Sequence, residues 1–137
     1  MNDIYKIIVL YNRHMKTYNL GIIGAGMYGK ILMKWLQQDE RAHILWVNSA
    51  SEATTKAAAQ EFGIKKWSTD YHEVLNDPQV DAVVIATPPF LHAEQVEASL
   101  KAGKHILLEK PIAESQESLQ RIVKAVESSP SLKVLEA

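Results

Sequence analysis

Three glycines constrain this chain more than any other residues. The stretch GIIGAGMYGK sets Gly24, Gly26 and Gly29 in the spacing G-x-G-x-x-G. The apolar run Tyr18 to Ile23 precedes it, and an amphipathic stretch from Met27 to Gln38 follows. A strand that ends in glycine, turns sharply and opens a helix is a phosphate-cradling unit of α/β sheets. Gly24 makes the tight turn. Gly26 removes a side chain where backbone meets a pyrophosphate, and Gly29 lets the helix pack closely on the strand. The helix start adds free N–H groups and partial positive charge.

Strand and helix patterns alternate beyond the loop. His43 to Val47, Ile64 to Trp67, Ala82 to Ala86, Lys104 to Leu108 and Leu132 to Leu135 read as strands. AVVIA is apolar on both faces, as a central parallel strand requires. Between them lie helical stretches: Glu52 to Phe62, stopped by Gly63; a short one capped by Asp70, with Glu73 in capping-box position; His92 to Lys101; and Ser115 to Glu127. The expected inward faces are Ile31, Leu32, Trp35 and Leu36 in the first helix, and Leu119, Ile122, Val123 and Val126 in the last. Ala93, Val96 and Leu100 point inward from the His92 helix, with Glu97 and Lys101 paired outside. Such alternation predicts an α/β fold, a doubly wound parallel sheet of Rossmann type, in one domain from residue 15 to 137.

Composition narrows the chemistry. The 137 residues carry a net charge of -1, so no strong field draws the chain to nucleic acid or an anionic membrane. Without cysteine there is no disulfide, thiolate metal site or cysteine nucleophile. Residues 1–14 read as an extension ahead of Met15. Their apolar stretch, Ile4 to Tyr11, is too short to span a bilayer, and they lack a signal-peptide cleavage pattern. A cytoplasmic setting is expected.

A glycine-rich first loop also occurs in methyltransferases, so the end of the second strand must help select the ligand. An acid there would bind a ribose 2′-hydroxyl. The segment reads WVNSASEA, with Ser49 at the acid's usual place. A small neutral residue removes the carboxylate that would repel a 2′-phosphate, while no arginine follows to grip one. NADP or NAD is the expected cofactor, with a slight lean to NADP. Ser51 is expected to cap the next helix rather than touch a ligand.

Two segments then carry a resemblance: the glycine loop and DAVVIATPPFLHAEQVEASLKAGKHILLEKPIA, residues 81 to 113. Together, and at this spacing, the chain resembles the Gfo/Idh/MocA oxidoreductases from Lys16 to its end. The resemblance implies an N-terminal Rossmann domain, followed in members by an α/β substrate domain. It implies hydride transfer between NAD(P) and a sugar, cyclitol or related alcohol. It places Gly24, Gly26, Met27 and Tyr28 on the dinucleotide loop, Thr87 and Pro88 along the cofactor, and His92 near the nicotinamide side. Glu109 and Lys110 fall in the family's E-K-P motif, with Lys110 as the active-site residue.

The chemistry supports that role. A lysine beside a reacting hydroxyl can hydrogen-bond it and stabilise developing alkoxide charge. Pro111 restricts the backbone at Lys110 and helps aim it. His14, His43, His72 and His105 form no metal-ligand pattern, and His43 and His105 stand at strand starts, where structural roles prevail. Trp35, Trp46 and Trp67 are expected in core or interface.

Family members are much longer, and their second domain supplies the substrate walls. Two outcomes stay open: the cofactor-binding piece of a dehydrogenase, inactive alone, or a stand-alone nucleotide-binding or interaction module. The ending SLKVLEA, inside a strand pattern, favours the first.

Overall fold

In the computed structural model, residues 16–137 are described, and six parallel strands form one sheet in the order β3-β2-β1-β4-β5-β6. The expected extension lies outside the described residues. The strands are β1 (Tyr18–Ile23), β2 (Ala42–Asn48), β3 (Lys66–Ser68), β4 (Ala82–Ile85), β5 (His105–Leu108) and β6 (Val134–Glu136). The helices are α1 (Met27–Leu36), α2 (Glu52–Phe62), α3 (Tyr71–Asn76), α4 (His92–Lys101) and α5 (Gln116–Glu127). The order reverses direction at β1 and β4, whose carboxyl ends therefore flank the crevice where open α/β sheets bind ligands.

Alternation along the strands splits the core in two. Ile22, Val47 and Val84 face Met33 of α1 and Ala58 and Ala59 of α2. Ile23, Val83, Ile85, Ile106 and Leu108 face α3, α4 and α5. Val83, Val84 and Ile85 are at most 2% exposed, as the doubly apolar pattern predicts. Full burial of each such side chain stabilises the fold by about 1.5–3 kcal/mol.

Two helix faces differ from the sequence expectation. In α1, Met33 is fully buried, while Ile31 and Trp35 are exposed. The cause is Gly29. A Cβ there would overlap the Gly24 carbonyl oxygen, so the helix turns Gly29 toward the loop. Met33 follows one turn later on the same face, Leu32 and Leu36 border it, and Ile31 and Trp35 rotate outward. In α5, Ile122 is buried but Leu119 and Val123 are exposed. With Val126, Val134 and Leu135 they line an apolar groove of about 320 Å³ between α5 and β6.

Local bonds explain the element ends. Gly63 takes the left-handed conformation (φ 66°) after α2. Ser51 and Ser115 cap α2 and α5 by accepting from Thr54 and Ser118 N–H. Asp70 caps α3 through His72 N–H, but its own N–H goes to Ser68 Oγ, not to Glu73 in a capping box. Glu97 pairs with Arg121 of α5 instead of Lys101, which joins two neighbouring helices. His43 bonds Asn19, and His105 accepts from Lys133 N–H, both structural uses. Trp46 is half-buried, while Trp35 and Trp67 are exposed.

Candidate dinucleotide site at the carboxyl ends of the strands

The glycine loop follows β1. Gly24 has φ 107°, and a Cβ there would lie 2.6 Å from the Ala86 carbonyl group. Both facts demand glycine. Gly24 N–H donates to Asn48 O at 2.9 Å, which ties the loop to the end of β2. Gly26 has an ordinary φ of -73°, and nothing lies within 4 Å of where its Cβ would stand. It precedes α1, whose first turn has neither a side-chain cap nor an acid. Bare backbone, an open approach and unopposed N–H groups fit a pyrophosphate. Met27 and Tyr28 are exposed beside this opening.

Ser49 follows β2. Its hydroxyl lies 2.7 Å from the Thr55 hydroxyl and donates to Ser51 O at 3.2 Å. The nearby acid, Glu52, is paired with Lys56 at 2.6 Å. Asn48 is buried and anchors the strand end by donating to Ser68 O.

Thr87 and Pro88 follow β4 and lead into a 3₁₀ turn, Pro89–Leu91. Thr87 Oγ1 donates to the buried Gln95 Oε1 of α4. Gln95 was absent from the sequence-based site; its signal is a polar residue on the inward side of an amphipathic helix. His92 is fully buried. Its Nε2 lies 2.9 Å from Thr87 O and its Nδ1 3.1 Å from Ile112 O. The ring therefore faces protein carbonyls, and its connection to any ligand at this end runs through the loops it joins.

Glu109 and Lys110 follow β5. Glu109 N–H closes the ladder on Ile85 O, and its carboxylate accepts from Lys110 N–H at 3.0 Å. The Lys110–Pro111 peptide is cis. Lys110 is exposed, and among the described residues its ammonium has no hydrogen-bond or ion-pair partner. Tyr28, Glu109 and Lys110 line one cleft of about 1100 Å³, together with Ile112, Ala113 and Glu136. The structure thus brings Tyr28 of the first helix to the E-K-P loop. Gly24, Gly26, Met27, Ser49, Thr87, Pro88 and His92 stand at the same end of the sheet outside that cleft's lining.

A family model described as an oxidoreductase family with an NAD-binding Rossmann fold matches residues 18–135. The chain belongs to the Gfo/Idh/MocA oxidoreductase family. It is 33% identical over 122 residues to a levoglucosan dehydrogenase of Pseudarthrobacter phenanthrenivorans, covering 82% of this chain and 31% of that protein. It is 39% identical over 108 residues to a 1,5-anhydro-D-fructose reductase of Ensifer adhaerens, covering 77% and 32%. Among solved structures, the scyllo-inositol dehydrogenase of Lactobacillus casei with bound NAD(H) and scyllo-inositol superposes with a TM-score of 0.83 at 29% identity, covering 89% and 36%. The chain spans about a third of the length of these Gfo/Idh/MocA relatives. What it shares with them is the NAD-binding Rossmann part. Among the described residues, no helix is long and apolar enough to cross a membrane, and no cluster could hold a metal ion.

Proposed function

We propose that this chain is the dinucleotide-binding part of a cytoplasmic oxidoreductase that moves a hydride between NAD(P) and a sugar, cyclitol or related alcohol. The observation that supports it most is the convergence of Tyr28, Glu109 and Lys110 on one cleft, at the sheet end that carries the glycine loop. When bound, the dinucleotide supplies the hydride acceptor. Gly26 and the first turn of α1 hold its phosphates. Lys110 donates to the substrate oxygen and stabilises the charge that grows there as the hydroxyl proton leaves.

The proton acceptor and the substrate walls come from the part of the relatives that this chain does not span. The isolated chain therefore binds dinucleotide weakly and does not turn over, because half a site cannot hold two reactants in attack geometry. At the ribose, neutral Ser49 and the Lys56-paired Glu52 tolerate a 2′-phosphate, so NADP(H) is accepted as well as NAD(H). Calorimetric titration with NADPH and NADH tests the reading. Heats that saturate in the micromolar-to-millimolar range support it, and no heat with either cofactor sinks it.

A further inference from the structure

The segment from Lys110 to Ala113 is thinly held. Among the described residues, its backbone makes two hydrogen bonds with protein partners. One is local, from Lys110 N–H to the neighbouring Glu109 carboxylate. The other comes from across the fold, where Ile112 O faces His92 Nδ1 at 3.1 Å. Ile112 and Ala113 add apolar contact with the core, but apolar contact does not fix direction.

His92 is well placed to fix it. It opens α4, is fully buried, and holds the Thr87 carbonyl with its other nitrogen at 2.9 Å. Gln95, three residues along the same helix, holds the Thr87 hydroxyl. The first turn of α4 thus grips the post-β4 loop at two points and the post-β5 loop at one. A ring with hydrogen on one nitrogen donates to one of these carbonyls, and a ring with hydrogen on both donates to both.

We propose that His92 is a positioning residue for Lys110. Its imidazole bolts the Lys110–Ala113 loop to the Thr87 loop, and so sets where the Lys110 ammonium stands relative to the cofactor edge. The cofactor half of this statement rests on the function proposed above; the bolt itself does not.

The test compares three variants of the chain. His92→Phe keeps an aromatic ring without donors. His92→Asn offers an amide nitrogen near the place of Nδ1, toward Ile112, and His92→Gln offers one near Nε2, toward Thr87. Backbone ¹⁵N relaxation reads the loop. In His92→Phe, order parameters at Ile112 and Ala113 should fall from the rigid range, about 0.85, to below about 0.6, while those of β4 and β5 keep wild-type values. His92→Asn should restore them, and His92→Gln should not. Unchanged loop order parameters in all three variants overturn the bolt. So does a uniform fall across the sheet, or equal rescue by Asn and Gln, since packing alone would give those results.

The second readout is Lys110 itself. Reductive ¹³C-methylation gives each lysine a resonance, and Lys110→Arg assigns this one. NADPH should shift it in the wild-type chain, and the shift should shrink by more than about half in His92→Phe at saturating NADPH. A full shift in His92→Phe overturns the positioning role. If the wild-type Lys110 resonance ignores bound NADPH, the proposed function fails at Lys110, and the relaxation comparison still decides the bolt.

Discussion

The Asp77 carboxylate accepts a 2.7 Å hydrogen bond from the indole nitrogen of Trp46, joining the turn ahead of β4 to strand β2. The same oxygen accepts from Lys66 Nζ at 2.7 Å, and the other accepts from Gln79 N–H at 2.9 Å. Lys66, then Trp46, hold the carboxyl down from 3.8 to about 2. A carboxyl depressed on folding stabilises the fold above its unfolded value, and that help is lost as pH falls through the folded value. Asp77→Ala should cost about 1–3 kcal/mol at neutral pH. Its deficit should narrow as pH falls from about 4 toward 2. Thermal melts at a series of pH values check this, and a deficit that stays constant down to about pH 2 would refute the charge-based account.

The glycines of the loop separate stability from binding. Gly29→Ala drives a methyl group into the Gly24 carbonyl oxygen, which is backbone and cannot swing away. A loss of about 2–4 kcal/mol is expected, with the melting temperature falling accordingly. Gly26→Ala meets nothing and needs no unusual φ. Its stability should fall by only about 1 kcal/mol, the scale on which alanine is the poorer N-cap. Its dinucleotide affinity should nevertheless drop by about tenfold or more, since under the proposed function the methyl occupies the phosphate approach. Denaturant melts and calorimetry on both variants distinguish the two roles.

Ser49→Asp puts a carboxylate at the end of β2. It should repel a 2′-phosphate and accept from a free 2′-hydroxyl, shifting the NADPH-to-NADH affinity ratio toward NADH by about tenfold. An unchanged ratio would show that the ribose lies elsewhere.

Lys110→Ala should leave dinucleotide affinity within about threefold of wild type, because the proposed function gives the phosphates to the glycine loop. In any longer form of this chain that turns over, the same change should lower kcat by about a hundredfold, the scale of a lost transition-state donor. Steady-state kinetics would count against the role if mutant and wild-type kcat agree.

Much of this was legible in the sequence because it is written in local pattern. The strand after which each loop begins, the packing tasks of Gly24 and Gly29, and the caps at Ser51 and Gly63 all follow from neighbouring residues. The rotation of α1 did not. Periodicity marks an apolar stripe through Ile31 and Trp35, but the contact between Gly29 and the Gly24 carbonyl decides which side turns inward. The surroundings of His92 were hidden for a related reason. Its partners are backbone carbonyls, which carry no residue signature, and one of them lies 20 positions away. Arg121 displaced Lys101 as the partner of Glu97 because helix-to-helix proximity is a tertiary fact.

The uneven demands on the three glycines have an evolutionary reading. Gly24 and Gly29 are each required by the backbone around them, whether or not any nucleotide ever arrives. Gly26 meets no such demand from its surroundings, and under the proposed function it answers to the ligand. A descendant released from cofactor binding would be free to drift at Gly26 and still be compelled to keep the other two. Among relatives of this chain, a filled middle position between two retained glycines would therefore mark a lineage that kept the architecture and abandoned the nucleotide.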